Sequence, residues 1–168
     1  MGFAGVRAEE LKRLEWQHFD FVERHLVVPD TIAKTESRRI VPLPDNLYQW
    51  LRPHRKESGK VCEFVNLAIV YAHRAKKVGV TWKRNGLRHS YISYRTALTK
   101  NVAQVALEAG NSPAIVHSNY LKFVSESVAK EWFGIFPGAA GNIIDLPKPG
   151  ADSENLAAIS PAESSLHF

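Results

Sequence analysis

The chain has 168 residues, 45% of them apolar, and a formal charge of +5 from 22 basic and 17 acidic groups, the composition of an ordinary globular protein with a sizeable core. Its single cysteine, Cys62, excludes an intramolecular disulfide and a thiolate-rich zinc site, and no stretch approaches the ~18 apolar residues of a membrane span. The charge is uneven: residues 1–133 carry 21 basic and 13 acidic groups, a net +8, and residues 134–168 a net −3, so the basic body suits a polyanionic partner, although a solvated basic surface reads the same way.

From the start of the chain, Gly5 marks a turn, and Ala8 to Trp16 reads as a short helix with Leu11 and Leu14 apolar and Glu9 and Glu10 in its first turn. Phe19–Val22, His25–Val28 and Arg39–Pro42 are β-branched or aromatic runs between polar connections, which predicts a small antiparallel sheet with Lys34 in the turn between its second and third strands. Asp45 is read as the cap of a helix through Leu51, and Cys62 as a buried structural residue. Residues 64–77 read as a helix with basic residues at its end, Gly86–Leu98 as one with Leu87, Tyr91, Tyr94 and Leu98 near one face, and residues 102–109 as a core helix ended by Gly110. Ser112 before Pro113 is an N-cap with proline at the first helical position, which places Tyr120 near the end of a short helix. A last helix is expected from Ser125 to Phe133, and from residue 137 the composition turns to Pro, Gly, Ala, Ser and Asn without a period, as in a mobile tail. The expected class is therefore α+β, mainly helical with a three-stranded antiparallel sheet near the N-terminus. One domain is expected over residues 1–136 and a flexible tail over 137–168.

Four short boxes stand in order along this frame. Gly5-Val6-Arg7-Ala8-Glu9-Glu10-Leu11, with Leu14, Trp16 and Asp20 behind it, is followed by Ala33-Lys34-Thr35 with Arg38-Arg39-Ile40-Val41-Pro42-Leu43, then Leu87-Arg88-His89-Ser90, then Gly110 to Tyr120. They resemble the G-x-R-x-x-E-L opening, the K-T…R-x-V-P-L hairpin, the second arginine box and the nucleophile box of the tyrosine recombinase (phage integrase) catalytic domain. The resemblance runs from about residue 2 to 135. It implies a site-specific recombinase or integrase that cuts and rejoins DNA through a 3′-phosphotyrosine intermediate at Tyr120, with Arg7, Lys34, Arg88 and the positions of Asn85 and Asn111 in the catalytic set and Glu10 and His89 supporting it.

The chemistry can be argued without the name. Attack by a phenol oxygen on a phosphodiester builds negative charge on the non-bridging oxygens, and guanidinium forks of Arg7 and Arg88 are suited to stabilise it, because they bind phosphate bidentately and stay charged. Lys34 is the candidate acid for the leaving 5′ oxygen, and Tyr120 stores the bond energy as a phosphotyrosyl link. Each residue alone also has an ordinary explanation: Arg7 and Glu10 as a surface helix pair, Lys34 as a solvated turn lysine, Arg88 and Tyr120 as core residues. The resemblance implies that His89 hydrogen-bonds within the core, and His117 is expected to sit on a helix surface.

Two positions depart from the family pattern. Asn85 stands where the first histidine of H-x-x-R is usual, and Asn111 where histidine or tryptophan usually follows the glycine. Asparagine can donate to a phosphate oxygen but cannot take the tyrosine's proton at neutral pH. Two readings stay open, an enzyme that works with asparagine at both places and a catalytically weakened DNA-binding remnant; a type IB topoisomerase-like enzyme is the nearest other chemistry. Arg7 comes almost at the start, so the chain is expected to be an N-terminally truncated catalytic domain without a DNA-clamping domain. Double-stranded DNA is the expected partner, with a homo-oligomer, a tetramer, on the DNA. Residues 125–136 are either passed to a neighbour or cap their own core. No cofactor is expected, and no metal, since the histidines lack close ligand spacing. A cytoplasmic, nucleoid-associated protein of bacterial or phage-derived origin serving a mobile element is implied.

Overall fold

The structure, a computed structural model, describes residues 1–34, 37–120 and 124–138, without the side chains of residues 119 and 120. Alternation builds the sheet. In β2 (His25–Val28) Leu26 and Val28 point inward, and in β3 (Arg39–Pro42) Arg39 and Val41 do so while Ile40 is 54% exposed. The order is β1 (Phe19–Asp20), β2, β3, antiparallel throughout, with Leu26 opposite Val41 and Val28 opposite Arg39. An arginine thus takes a core-facing position that the alternation assigns to an apolar side chain, and an isoleucine faces out.

The opening helix is shorter than expected. α1 spans only Ala8–Leu11, and Trp16–His18 forms a separate 3₁₀ turn. The backbone between them is drawn off by residues 59–61: Trp16 N donates to Gly59 O at 2.9 Å and Val61 N donates to Leu14 O at 3.0 Å. Leu14 stays fully buried regardless, which is why its spacing read as helical.

α2 (Asp45–Leu51) begins after Pro44, so Asp45 is its first residue and not its cap; its carboxylate pairs with Arg24. Cys62 is partly exposed and not buried, because it lies on the irregular connection ahead of α3 (Leu67–Lys77). α3 begins later than expected, at the cap of Asn66, whose Oδ1 accepts from Ile69 N at 3.3 Å. The remaining helices are α4 (Gly86–Thr99), which starts without a side-chain cap, and α5 (Val102–Ala109), α6 (Pro113–Tyr120) and α7 (Glu126–Phe133), with Asn101 and Ser125 capping α5 and α7.

The chain is α+β, with Met1–Gly138 forming one compact unit. One apolar cluster lies under the sheet (Val6, Leu14, Leu26, Val28, Val41), and a second joins α4, α5 and α6 through Tyr91, Ile92, Val105, Ala109 and Val116. α7 packs on α4, with Phe133 edge-on to Tyr91, Trp132 4.9 Å from the Tyr94 ring, and Trp132 Nε1 donating to Gly2 O at 3.0 Å. The expected tail lies, beyond Gly138, outside the described residues. Among the described residues no helix is long and apolar enough to cross a membrane.

Candidate active site

The site is organised by the end of α5. Gly110, at φ +64°, closes that helix with a Schellman pair: Gly110 N donates to Leu107 O at 3.1 Å and Asn111 N to Ala106 O at 2.9 Å. The next carbonyls along the chain would be left without donors, and each receives a guanidinium from another element. Arg39 Nε donates to Glu108 O at 3.1 Å, Arg88 Nη2 to Ala109 O at 2.7 Å and Arg7 Nη2 to Gly110 O at 2.6 Å. Three cations on β3, α4 and the α1 cap therefore meet at the negative end of one helix dipole.

Arg7 and Arg88 converge further. Both Nη2 atoms donate to the same acceptor, Asn111 Oδ1, each at 3.0 Å. Because guanidinium has no acceptor, the amide must present its oxygen here, which turns Asn111 Nδ2 away from both arginines. Arg88 is 4% exposed on the face of α4 that also buries Tyr91 and Ile92, and it donates to Gly5 O as well.

Beneath this pair Glu10 holds the other guanidinium edges. Its carboxylate accepts Arg7 N at 2.7 Å, which ties the first turn of α1, Arg7 Nη1 at 2.9 Å, and both Nη1 and Nη2 of Arg39 at 3.1 and 2.6 Å. Burial works to raise the Glu10 pKa, but hydrogen bonds from Arg39 and from the Arg7 backbone outweigh it and hold the carboxyl at about 2. Glu108 repeats the pattern on α5, accepting from Tyr91 Oη at 2.8 Å, Arg95 Nε and Nη2 at 2.9 Å each, and Gln104 Nε2 at 2.9 Å. There too burial is outweighed, by hydrogen bonds from Arg95 first, and the carboxyl is lowered. Burial and the adjoining Glu108 charge push the Tyr91 phenol strongly upward, so Tyr91 is a donor and not a nucleophile.

Above the clamp opens a cleft of about 1250 Å³ whose described lining holds five basic residues, Arg7, Lys34, Arg38, Arg39 and Arg88, and no acidic one. Lys34 lies exposed on the β2–β3 connection at its rim. Asn85 lines it from the residue before α4, in the left-handed region at φ 59° that asparagine tolerates. Ser112 and Ile115 bring the start of α6 to the same cleft. Tyr120 ends α6, five residues and ~7.5 Å of helix rise beyond Ile115; its side chain lies outside the described residues.

Arg7, Lys34, Asn85, Arg88, Asn111 and the supporting Glu10 thus gather at one place. His89 does not join the core as expected. The helical turn that buries Arg88 leaves it exposed, and partial loss of hydration against the helix together with the Arg88 charge lowers its pKa. His117 is exposed, as expected. Arg39 and Glu108 were missed as site residues. Arg39 sits two residues from Val41, hence on the inward face of β3, and Glu108 is the one charged group on the otherwise uncharged α5; both were signals that a buried charge needs a partner.

No protein-family model matches the chain, and no curated protein matches it. Solved structures do. The chain is similar to XerA recombinase (TM-score 0.57, 19% identity, over 79% of this chain and 54% of that one). It is similar to the integrase from mycobacterium phage Brujita (TM-score 0.56, 14% identity, 86% and 51%). It is also similar to the Tn1549 transposon integrase solved with a circular intermediate DNA (TM-score 0.51, 17% identity, 80% and 56%). The chain spans about half the length of each. On this likeness and the element order above, the chain has the fold of a tyrosine recombinase catalytic domain.

Proposed function

We propose that this chain is the catalytic part of a DNA strand transferase that cleaves and reseals a phosphodiester through Tyr120. The observation that carries the reading is the single oxygen, Asn111 Oδ1, held at 3.0 Å by both Arg7 Nη2 and Arg88 Nη2. A non-bridging phosphate oxygen placed where that amide oxygen lies meets two guanidiniums already fixed by Glu10 and by the α5 carbonyls. Preorganised cations of this kind stabilise the charge that develops during attack.

In this reading Arg7 and Arg88 hold the phosphate, Asn85 adds a neutral donor, Asn111 adds Nδ2 once the phosphate has displaced its oxygen and the amide has turned, and Lys34 protonates the leaving 5′ oxygen. Tyr120 Oη attacks phosphorus, its proton leaves to water or to the phosphate, and the 3′-phosphotyrosyl link is later opened by a 5′ hydroxyl. Double-stranded DNA is the substrate, a tetramer on two duplexes is the assembly, and integration or excision of a mobile element is the setting. The recombinase and integrase folds of the neighbours support the general kind of enzyme.

The test is a nicked duplex carrying a candidate site. A protein–DNA adduct that survives denaturant should form with the wild type and be absent in Tyr120→Phe, while Arg88→Lys should form it ~10²–10³ times more slowly. Salt-sensitive binding with no adduct on a verified site would sink the enzyme reading.

A second reading has its own observation. No histidine is among the described residues that line the cleft, so the described lining offers no group to take the phenol proton at neutral pH. That favours a DNA-binding module that keeps the clamp without the cleavage step, the outcome named above as overturning the first.

A further inference from the structure

A second cleft of about 850 Å³ shares Arg7, Lys34, Asn85 and Arg88 with the first and extends from the clamp toward α3. Its far wall is aromatic. Tyr71 of α3 and Trp82 of the α3–α4 connection stack with ring centroids 4.9 Å apart and planes 23° from parallel, and both line the cleft beside Arg84. The catalytic reading uses none of these three residues.

α3 is loosely held. It buries only Leu67 and Ala75, while Ile69 and the following Val78 and Val80 are 45%, 47% and 58% exposed. A stack formed only to secure the helix would secure an element with little else to fasten it. The aromatic pair instead faces the cavity that continues directly from the phosphate clamp. In a nucleotide the base is joined to its phosphate through one sugar, so a phosphate in the clamp brings a base into the adjoining space.

We propose that Tyr71, Trp82 and Arg84 form a stacking platform for an unpaired nucleobase of the DNA strand whose phosphate lies in the Arg7–Arg88 clamp. This rests on the DNA reading given above. A paired base is covered on both faces by its neighbours in the duplex and offers only its edges, whereas a base that has left its partner offers a π-face, and unpaired or mismatched bases leave at least cost. Transfer of a strand to a new duplex requires bases beside the break to leave their old partners, and a platform next to the phosphate holds one while they do. Stacking on an aromatic face takes any base, and Arg84 adds a cation beside it without sequence preference.

The test compares two duplexes of identical sequence, one carrying a single extra 2-aminopurine as a bulge. Wild type should bind the bulged duplex roughly tenfold more tightly, at the low end for one base stacked on an aromatic ring, and should quench the 2-aminopurine. Trp82→Leu should bring the ratio close to one while leaving paired-duplex affinity within about twofold, as one aromatic contact carries little of the phosphate-driven binding. Trp82→Phe, which keeps a ring against Tyr71, should retain most of the preference and the quench, and it decides the matter if circular dichroism shows Trp82→Leu to be unfolded. Wild type that binds the paired duplex with no preference for the bulge overturns the platform and leaves the DNA reading intact. So does a Trp82→Leu protein that weakens both duplexes equally. Wild type that binds neither duplex overturns both.

Discussion

Glu10 is buried, charged and hydrogen-bonded to two arginines, and those three facts set its behaviour with pH. Its carboxyl lies at about 2 in the folded chain against 4.5 for a free side chain. The folded value is the lower one, so the stabilisation is complete above about pH 4.5 and is lost as pH falls toward 2; at neutral pH it is worth about 3 kcal/mol. Unfolding free energy measured in urea should therefore drop between pH 5 and pH 2 by about 3 kcal/mol more in wild type than in Glu10→Gln, the comparison removing the acid response of the other carboxylates. At pH 7 the same variant should be less stable than wild type by about 3–5 kcal/mol, since Arg39 would keep a buried charge with no carboxylate to meet it. Equal pH slopes in the two proteins would show that Glu10 is not the anionic centre of the cluster. Asn111 complements it: the carboxylate fixes the Nη1 edge of Arg7 and the neutral amide oxygen holds the Nη2 edge, so a phosphate oxygen that replaces the amide displaces a dipole and not a charge.

Elements whose ends carry chemical punctuation could be read from the chain. Ser112-Pro113, Gly110 and Ser125 fixed the limits of α5, α6 and α7, and the alternation of β2 and β3 fixed the sheet. Legibility failed where a distant segment decided the outcome. Residues 59–61 end α1 early, and nothing near Leu11 announces them. In the site, Arg7, Lys34 and Arg88 were visible because each sits in a local box, whereas Glu108 with Tyr91 and Arg95 was not, because its partners lie on a different helix at separations with no local rule. Gly5 shows how such distant contacts bind the elements together. It stands at φ +61°, and a Cβ there would lie 2.4 Å from Cδ1 of Tyr91, a ring held in place by Glu108, while its own carbonyl accepts from Arg88. Gly5→Ala should thus cost roughly 3 kcal/mol, from left-handed backbone strain plus overlap with a ring that cannot retreat, and should lower DNA affinity as the Arg88 anchor shifts. Gly110→Ala offers the comparison. Its Cβ would lie 3.1–3.2 Å from the Arg39 side chain, so it should be the milder of the two in thermal unfolding. A Gly5→Ala protein as stable as wild type would contradict the packing of Gly5 on α4.

At the scale of the molecule, charge separates along the chain: residues 139–168 hold Lys148 and four acidic groups, Asp145, Asp152, Glu154 and Glu163, and removing them raises the formal charge from +5 to +8. If the cleft with its five cations takes a DNA backbone as proposed above, each phosphate neutralised releases counterions, and binding should weaken steeply with salt. If roughly four phosphates are contacted, log K should fall against log salt with a slope near −3.6. Residues 139–168 bring the formal charge down by three, and a lower positive charge weakens the long-range attraction of a polyanion. Truncation after Gly138 should accordingly strengthen binding to a paired duplex, by several-fold at low salt where the Debye length is about 30 Å and by less than twofold near physiological ionic strength, where it is about 8 Å. Fluorescence anisotropy over a salt series, with circular dichroism to show that Met1–Gly138 stays folded, measures both the slope and its change. An affinity gain that persists unchanged at high salt would show that residues 139–168 do not act through their charge.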